Sequence, residues 1–451
     1  MRDERTKIGP LAAGFIVAGN MIGSGIFLLP ASLGEIGSIA IIGWMVVLAG
    51  ALLIGLVCSR LSAVCPNGEG LTGYVRAGLG APLGFQAAFF YWVSTWFGNV
   101  AIALAVTGYL AALLPALKVP LVLTLATVAV IWAVSLGNLA GVRFTARFEG
   151  AALTQGLAPV LLIAVLGWWW FKPEIFAASW NVTGRSDGGA IVTSLGSIIW
   201  AFLGLESAAV VAAVVRQPER NVPIATMGGI AAAGLVYITA CTALTGVLTA
   251  EELRTSTAPF ADVATRLWGP VAGSLLAVCA MAKAAGTLAG WMLVGAETAE
   301  AGARLGLFPR ALSGINRHGA PVRNLMFMAV LMSVVCLATM SPTLGQQFDM
   351  VVNMAVVLNV IVYACACAAL LRLSPGHLVR ERWQHVTLAG FIQLFCVGLL
   401  ATMGLQSLLV AAGLLLIGLP LYMVRNVACG APAHPAAEPP LASDGQEASR
   451  P

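Results

Sequence analysis

The chain has 451 residues, of which 59% are apolar and only 10% are charged, with a formal net charge of +5. Soluble domains carry nearer a quarter charged residues, so this sequence has too few to coat a water-exposed surface. That excludes a soluble enzyme, a disordered chain and a disulfide scaffold, and leaves a polytopic membrane protein.

Roughly 20 apolar residues cross a hydrocarbon core of about 30 Å as a helix. Twelve such runs follow one another, at about 9–34, 38–59, 83–114, 119–141, 150–171, 190–215, 224–249, 269–296, 325–341, 349–372, 387–404 and 406–424. None alternates like a barrel strand, so the fold class is all-α. Residues 1–8 form an N-terminal segment, 9–171 a first group of five spans, 190–372 a second group of five, and 387–424 two further spans. The stretch after Lys7 has no convincing cleavage site and reads as a retained first span. The Pro-, Ala- and Ser-rich tail, 425–451, is expected to be disordered.

With the N-terminus placed in the cytoplasm, 18 of the 24 Lys and Arg fall in inner segments, five in outer segments, and Lys283 within a span. This asymmetry predicts cytoplasmic N- and C-termini. Seven of the nine cysteines lie within apolar runs and read as small buried hydrophobes. No CxxC or Cys/His cluster occurs, so no metal site is expected.

The first span contains Gly19, Gly23 and Gly25 around Asn20 and Ser24, and the sixth contains Gly204 between Trp200 and Glu206. Small residues at mid-span often serve close helix packing. Here the two interruptions occupy equivalent places in two groups of five, the signature of inverted repeats with helices 1 and 6 broken around a midplane site. N–H groups freed by the first break suit a carboxylate, with Ser24 and Gly25 as candidates. Carbonyls freed by the sixth suit an amino group.

Charge inside the bilayer is the sharper signal. Away from span ends only Glu206 and Lys283 lie within the runs, and such a carboxylate costs about 2.5–3.5 kcal/mol to insert. Glu206 is a candidate to bind a cation, carry a proton, or gate by hydrogen bonding to tyrosines; an internal salt bridge to Lys283 is the plainer alternative. Trp200 and Glu206 are about 240° apart on an intact helix, so both face one cavity only if the helix breaks near Leu203 and Gly204. In the third span Tyr91, Ser94, Thr95, Asn99 and Ile102 share a face. They read either as interhelical hydrogen bonding or as a polar wall. Trp291 in the eighth span is either packing or a face for a cation.

These segments also carry a resemblance. GNMIGSGIFLLP from Gly19 and RQPERNVPIA from Arg216 resemble the first span and the loop after the sixth in the amino acid–polyamine–organocation superfamily. YWVSTWFGN from Tyr91, WAFLGLESA from Trp200 and GWMLVGAETAEAGARLGLFP from Gly290 extend the similarity, span for span to about residue 424, to its arginine/agmatine and related basic amino acid/polyamine antiporters. The resemblance implies a leucine-transporter-type 5+5 inverted repeat plus two peripheral helices, and a homodimer. It implies substrate contacts at Asn20, Ser24, Gly25, Trp200 and Leu203, and a guanidinium site at Ser94, Thr95 and Asn99. Trp291 would be a middle gate, Trp200 an outer closure, and Tyr91, Glu206 and Tyr363 an inner gate. Ala355 stands where the branch implies serine, Thr95 where it implies cysteine, and Lys283 where it implies glycine. Exchange of ornithine for putrescine or lysine for cadaverine therefore stays open beside arginine for agmatine.

The expected function is secondary active amino acid transport in a bacterial inner membrane. The chain would act as an antiporter that exchanges a cationic, arginine-like amino acid for its amine or another amino acid by alternating access. The alternative is proton-coupled uptake of a neutral amino acid, which gains if Lys283 faces the permeation path. No HExxH occurs and no histidine lies in a span, so an enzyme is not expected. Expected partners are a small amino acid or amine and the lipid bilayer, with no cofactor and no nucleic acid.

Overall fold

The structure, a computed structural model, describes residues 9–23, 25–65, 70–206, 215–304, 308–373 and 379–429. Ser24 and the second half of the sixth expected span, from 207 to 214, lie outside the described residues, as do 1–8 and 430–451. Among the described residues nine helices are long and apolar enough to cross a membrane, ten if one bent pair counts as a single span. The protein is an all-α polytopic membrane protein.

The bent pair is the first span: α1 (Pro10–Met21) and α2 (Gly25–Gly34) meet at 48°. Then come α3 (Ala40–Val64), a short α4 (Gly70–Leu79), α5 (Ala81–Leu113), α6 (Pro120–Asn138) and α7 (Val142–Leu166). After the short α8 (Pro173–Ala178), α9 (Asp187–Trp200) begins at Ser186, whose hydroxyl caps the Gly189 N–H at 3.3 Å. It ends at Trp200 and gives way to turns through 206, with Gly204 at φ +102°. That backbone region is strained for residues with a Cβ. The orphan carbonyl of Ala201 at this helix end accepts from the Tyr237 hydroxyl at 3.0 Å.

The second half of the chain holds α10 (Pro218–Val247), the short α11 (Ala250–Thr255) and α12 (Pro259–Trp268), and α13 (Pro270–Arg304). It continues with α14 (Val322–Ala338), α15 (Leu344–Leu373), α16 (Val379–Thr402) and α17 (Leu405–Cys429). α13 packs along α5 and α7, α1 along α10, and α15 against α5 and α4. α16 and α17 bury few of their residues, 22% across 385–402 and 17% across 405–423. Large apolar side chains point outward across the bundle, up to 83% exposure at Val271, as a lipid-facing surface requires.

Several helices run beyond the apolar runs read from the sequence, α10, α15 and α16 at their starts among them, and two of these differences bear on the site. α7 begins at Val142 rather than near 150, which puts Glu149 two turns inside the helix, and α13 runs on past 296 to Arg304. The charges of Arg143, Arg147 and Glu149 end an apolar run but not a helix, since helical hydrogen bonding does not need apolar side chains. Where α7 and α13 cross, small and large residues alternate. A Cβ on Gly156 would run into the stem of Lys283, one on Gly286 would meet Ala152, and one on Gly290 would meet the Glu149 carboxylate.

Outside the spans, α11 opens with a capping box: Glu252 accepts from the Thr249 N–H at 2.8 Å, and the Thr249 hydroxyl accepts from the Glu252 N–H at 3.3 Å. Arg266 of α12 pairs with Glu252 and donates to the Val247 carbonyl at 2.9 Å, tying α12 to the end of α10. The Arg266 guanidinium holds the Glu252 carboxyl down to about 2, from an ordinary 4.5. A depressed carboxylate stabilises the fold above its unfolded pKa, and that contribution is lost as pH falls through the folded value. The pair is nearly half-exposed, so its worth is at most about 1 kcal/mol. The stability advantage of the parent over Glu252→Gln in thermal melts should be full above pH 5 and shrink as pH falls towards 2.

Candidate functional site

The two helix interruptions line one cavity together. Asn20, Met21, Gly23 and Gly25 line it from the first break, and Trp200, Leu203 and Glu206 from the second. α5 adds Tyr91, Ser94, Thr95, Gly98, Asn99 and Ile102, α13 adds Thr287 and Trp291, and α15 adds Asn359.

Glycines let the two indoles reach this space. A Cβ on Gly25 or Gly98 would stand 3.1 Å from the Trp200 ring, and one on Gly204 would stand 3.1 Å from Trp291. Because α9 ends at Trp200 and the chain turns at Gly204, Trp200 and Glu206 both line the cavity.

Glu206 is 7% exposed. Its Oε2 accepts from the Tyr363 hydroxyl at 2.7 Å and the Gly204 N–H at 3.1 Å, and its Oε1 from the Tyr91 hydroxyl at 3.2 Å. These donors come from α15, the second break and α5, so one carboxylate links three elements. Tyr363 does not line the cavity; it stands behind Glu206. Lys283 instead donates to Thr287 Oγ1 at 2.8 Å, so the alternative of a Glu206–Lys283 salt bridge is not what the structure holds. Nor is Lys283 among the lining residues; it faces the α7 seam at Gly156.

The polar lining has a direction. Ser94 and Thr95 donate their protons to the carbonyls of Tyr91 and Trp92, each at 2.6 Å, and the Asn359 amide nitrogen donates to Ala355 at 2.9 Å. Ser94 and Thr95 thus keep oxygen lone pairs for the cavity, and Asn359 keeps its Oδ1 acceptor and one N–H. Asn99 is 1% exposed, and neither atom of its amide has a hydrogen-bond partner among the described residues. A buried amide in that condition is an unmet demand for hydrogen bonds. The cavity therefore offers a carboxylate, several acceptors and two aromatic rings beside the interrupted backbone.

Of the candidate substrate and gate residues named from the sequence, Ser24 lies outside the described residues, Tyr363 stands behind the wall, and Asn20, Gly25, Tyr91, Ser94, Thr95, Asn99, Trp200, Leu203, Glu206 and Trp291 line the cavity, while Lys283 does not. Sequence reasoning missed Thr287, Asn359, Gly98, Gly23 and Met21 as lining groups. Thr287 had a signal, since it stands four residues from both Lys283 and Trp291; so did Asn359, four residues before Tyr363.

The profile of the amino acid permease family matches residues 8–417. The chain is 34% identical over 367 residues to the putrescine transporter PotE of Escherichia coli (strain K12), covering 81% of this chain and 84% of that one. It is 34% identical over 395 residues to the cadaverine/lysine antiporter of the same strain, with 86% of each chain covered. To the putrescine transporter PotE of Haemophilus influenzae it is 32% identical over 424 residues, covering 94% and 98%.

Proposed function

Because the chain belongs to the amino acid permease family, we propose that it exchanges a cationic amino acid for the corresponding amine, or for another amino acid, by alternating access in a bacterial inner membrane. Both termini would be cytoplasmic. The observation that carries this reading is the lining: Glu206 and the lone pairs of Ser94, Thr95 and Asn359 suit a donor-rich cationic head group, and Trp291 offers it a ring face. In this reading the interrupted backbone at Asn20, Ser24 and Gly25 takes the substrate carboxylate, and that at Trp200 and Leu203 its amino group. Asn99 joins Ser94 and Thr95 around the head group.

Trp200 then closes the outer side, Trp291 acts as a middle gate, and Tyr91, Glu206 and Tyr363 form the inner gate. Substrate must lower the barrier between the outward- and inward-open states, while the empty carrier crosses slowly; otherwise exchange becomes leak. The relatives named for putrescine and for cadaverine and lysine support this substrate class. They do not favour arginine over ornithine or lysine.

Counterflow in proteoliposomes tests the reading. Vesicles loaded with unlabelled arginine, agmatine, ornithine, putrescine, lysine, cadaverine or a neutral amino acid are given a labelled basic amino acid outside. Uptake should require an internal basic amino acid or amine. Uptake indifferent to the load, or absent under every load in folded protein, overturns exchange.

A further inference from the structure

Lys283 lies within α13 and is 2% exposed. The absence of a side chain at Gly156 of α7 is what admits its stem: a Cβ there would stand 2.6 Å from Lys283 Cγ. Glu149, on the same helix, is the charged group that interacts with it electrostatically. α5 and α6, also packed on α13, carry no charged residue.

What the buried ammonium does is set the polarity of a neighbour. Ser135, Thr226 and Thr298 each return their hydroxyl proton to the carbonyl of their own helix four residues back. Thr287 forms no such bond among the described residues. Its oxygen accepts from Lys283 Nζ at 2.8 Å, and an ammonium has only donors to give. The Thr287 proton is therefore left to point elsewhere, and Thr287 lines the cavity. Its methyl lies 2.9 Å from where a Cβ on Gly23 would stand, which places it against the first helix break, just ahead of the N-terminus of α2. The acceptor side is further along. The Thr95 hydroxyl sits 2.7 Å from where a Cβ on Gly295 would stand, two turns or about 12 Å down α13 from Thr287.

We propose that Lys283, acting through Thr287, makes one end of the cavity a carboxylate-selecting pole, so that the site prefers an α-amino acid to the diamine that lacks its carboxylate. Thr287 donates to the substrate carboxylate beside the N–H groups of the break, and Lys283 is the positioning residue that keeps that proton turned inward. A diamine would present an ammonium to this donor and to the positive charge behind it. This inference deepens the exchange reading and rests on it.

The test compares apparent affinity for a basic amino acid and for its decarboxylated amine, arginine with agmatine and ornithine with putrescine, in the parent, Thr287→Val, Thr287→Ser and Lys283→Met. The readouts are competition for labelled uptake and ligand-induced tryptophan fluorescence in detergent. Thr287→Val and Lys283→Met should weaken amino acid binding tenfold or more while the amine changes by less than about twofold, and Thr287→Ser should retain the parental ratio. Equal weakening of both compounds in Thr287→Val, or an unchanged ratio, overturns the proposal. If Lys283→Met fails to fold, the Val and Ser pair at Thr287 decides. Parent vesicles that exchange neither compound overturn the exchange reading, and the fluorescence ratio then decides the pole by itself.

Discussion

Glu206→Ala is expected to reduce exchange to less than a tenth of the parental rate. The carboxylate accepts from Tyr91, Tyr363 and the Gly204 N–H, which belong to three separate elements. Hydrogen bonds to a charged acceptor are worth about 1.5–3 kcal/mol each, and removing the shared acceptor leaves several buried donors unpaired at once. The contributions do not add, but losing even one at the upper figure changes the balance between two gate states more than a hundredfold. Glu206→Gln keeps the volume and one carbonyl acceptor, so it should fall between Ala and the parent. Initial rates in proteoliposomes, with binding followed by tryptophan fluorescence, separate the two effects. A gate defect lowers the rate and leaves affinity within a few-fold. Parental rates for Glu206→Ala would remove it from the gate.

Trp291→Leu should weaken binding of a basic amino acid about 30-fold. A cation held over a desolvated indole face gains about 2 kcal/mol, and each 1.4 kcal/mol is a tenfold change in affinity. Leucine keeps apolar volume but has no ring quadrupole, so a neutral amino acid of similar length should lose less than the cation does. Trp291→Phe, which keeps a smaller ring, should retain part of the preference. Competition against labelled substrate measures all three. Equal losses for charged and neutral ligands would mean that Trp291 only fills space against Gly204, where the turn brings the backbone under its ring.

The parts of this protein legible in its sequence are those written in single segments. Apolar runs mark the spans because a bilayer accepts little else. Gly23 and Gly25 at one mid-span and Gly204 at another mark interruptions because helix interiors disfavour glycine. Tyr91, Ser94, Thr95 and Asn99 share a helix face by arithmetic alone. What escaped depends on a partner from elsewhere in the chain. The direction of Lys283 is fixed by the space at Gly156, on a different helix, and no periodicity within α13 contains that fact. Whether Thr287 donates or accepts follows from Lys283 in turn. The short α11 and α12 carry charge outside the spans, and a search for long apolar runs passes over them.

The crossing of α7 and α13 bears on how such a protein moves. At successive points along it one helix gives up its side chain to make room for the other's: Gly156 for Lys283, Gly286 for Ala152, Gly290 for Glu149. The sites of surrender lie on both helices, so a slide in either direction would drive a side chain into backbone that has no slack. A seam notched on both sides resists shear in the way two interlocked racks do, and well-packed interfaces switch between discrete arrangements rather than deform continuously. α7 and α13 should therefore travel as one body through the transport cycle. The change of access falls to the interrupted helices beside them, where the chain already bends between α1 and α2 and turns at Gly204.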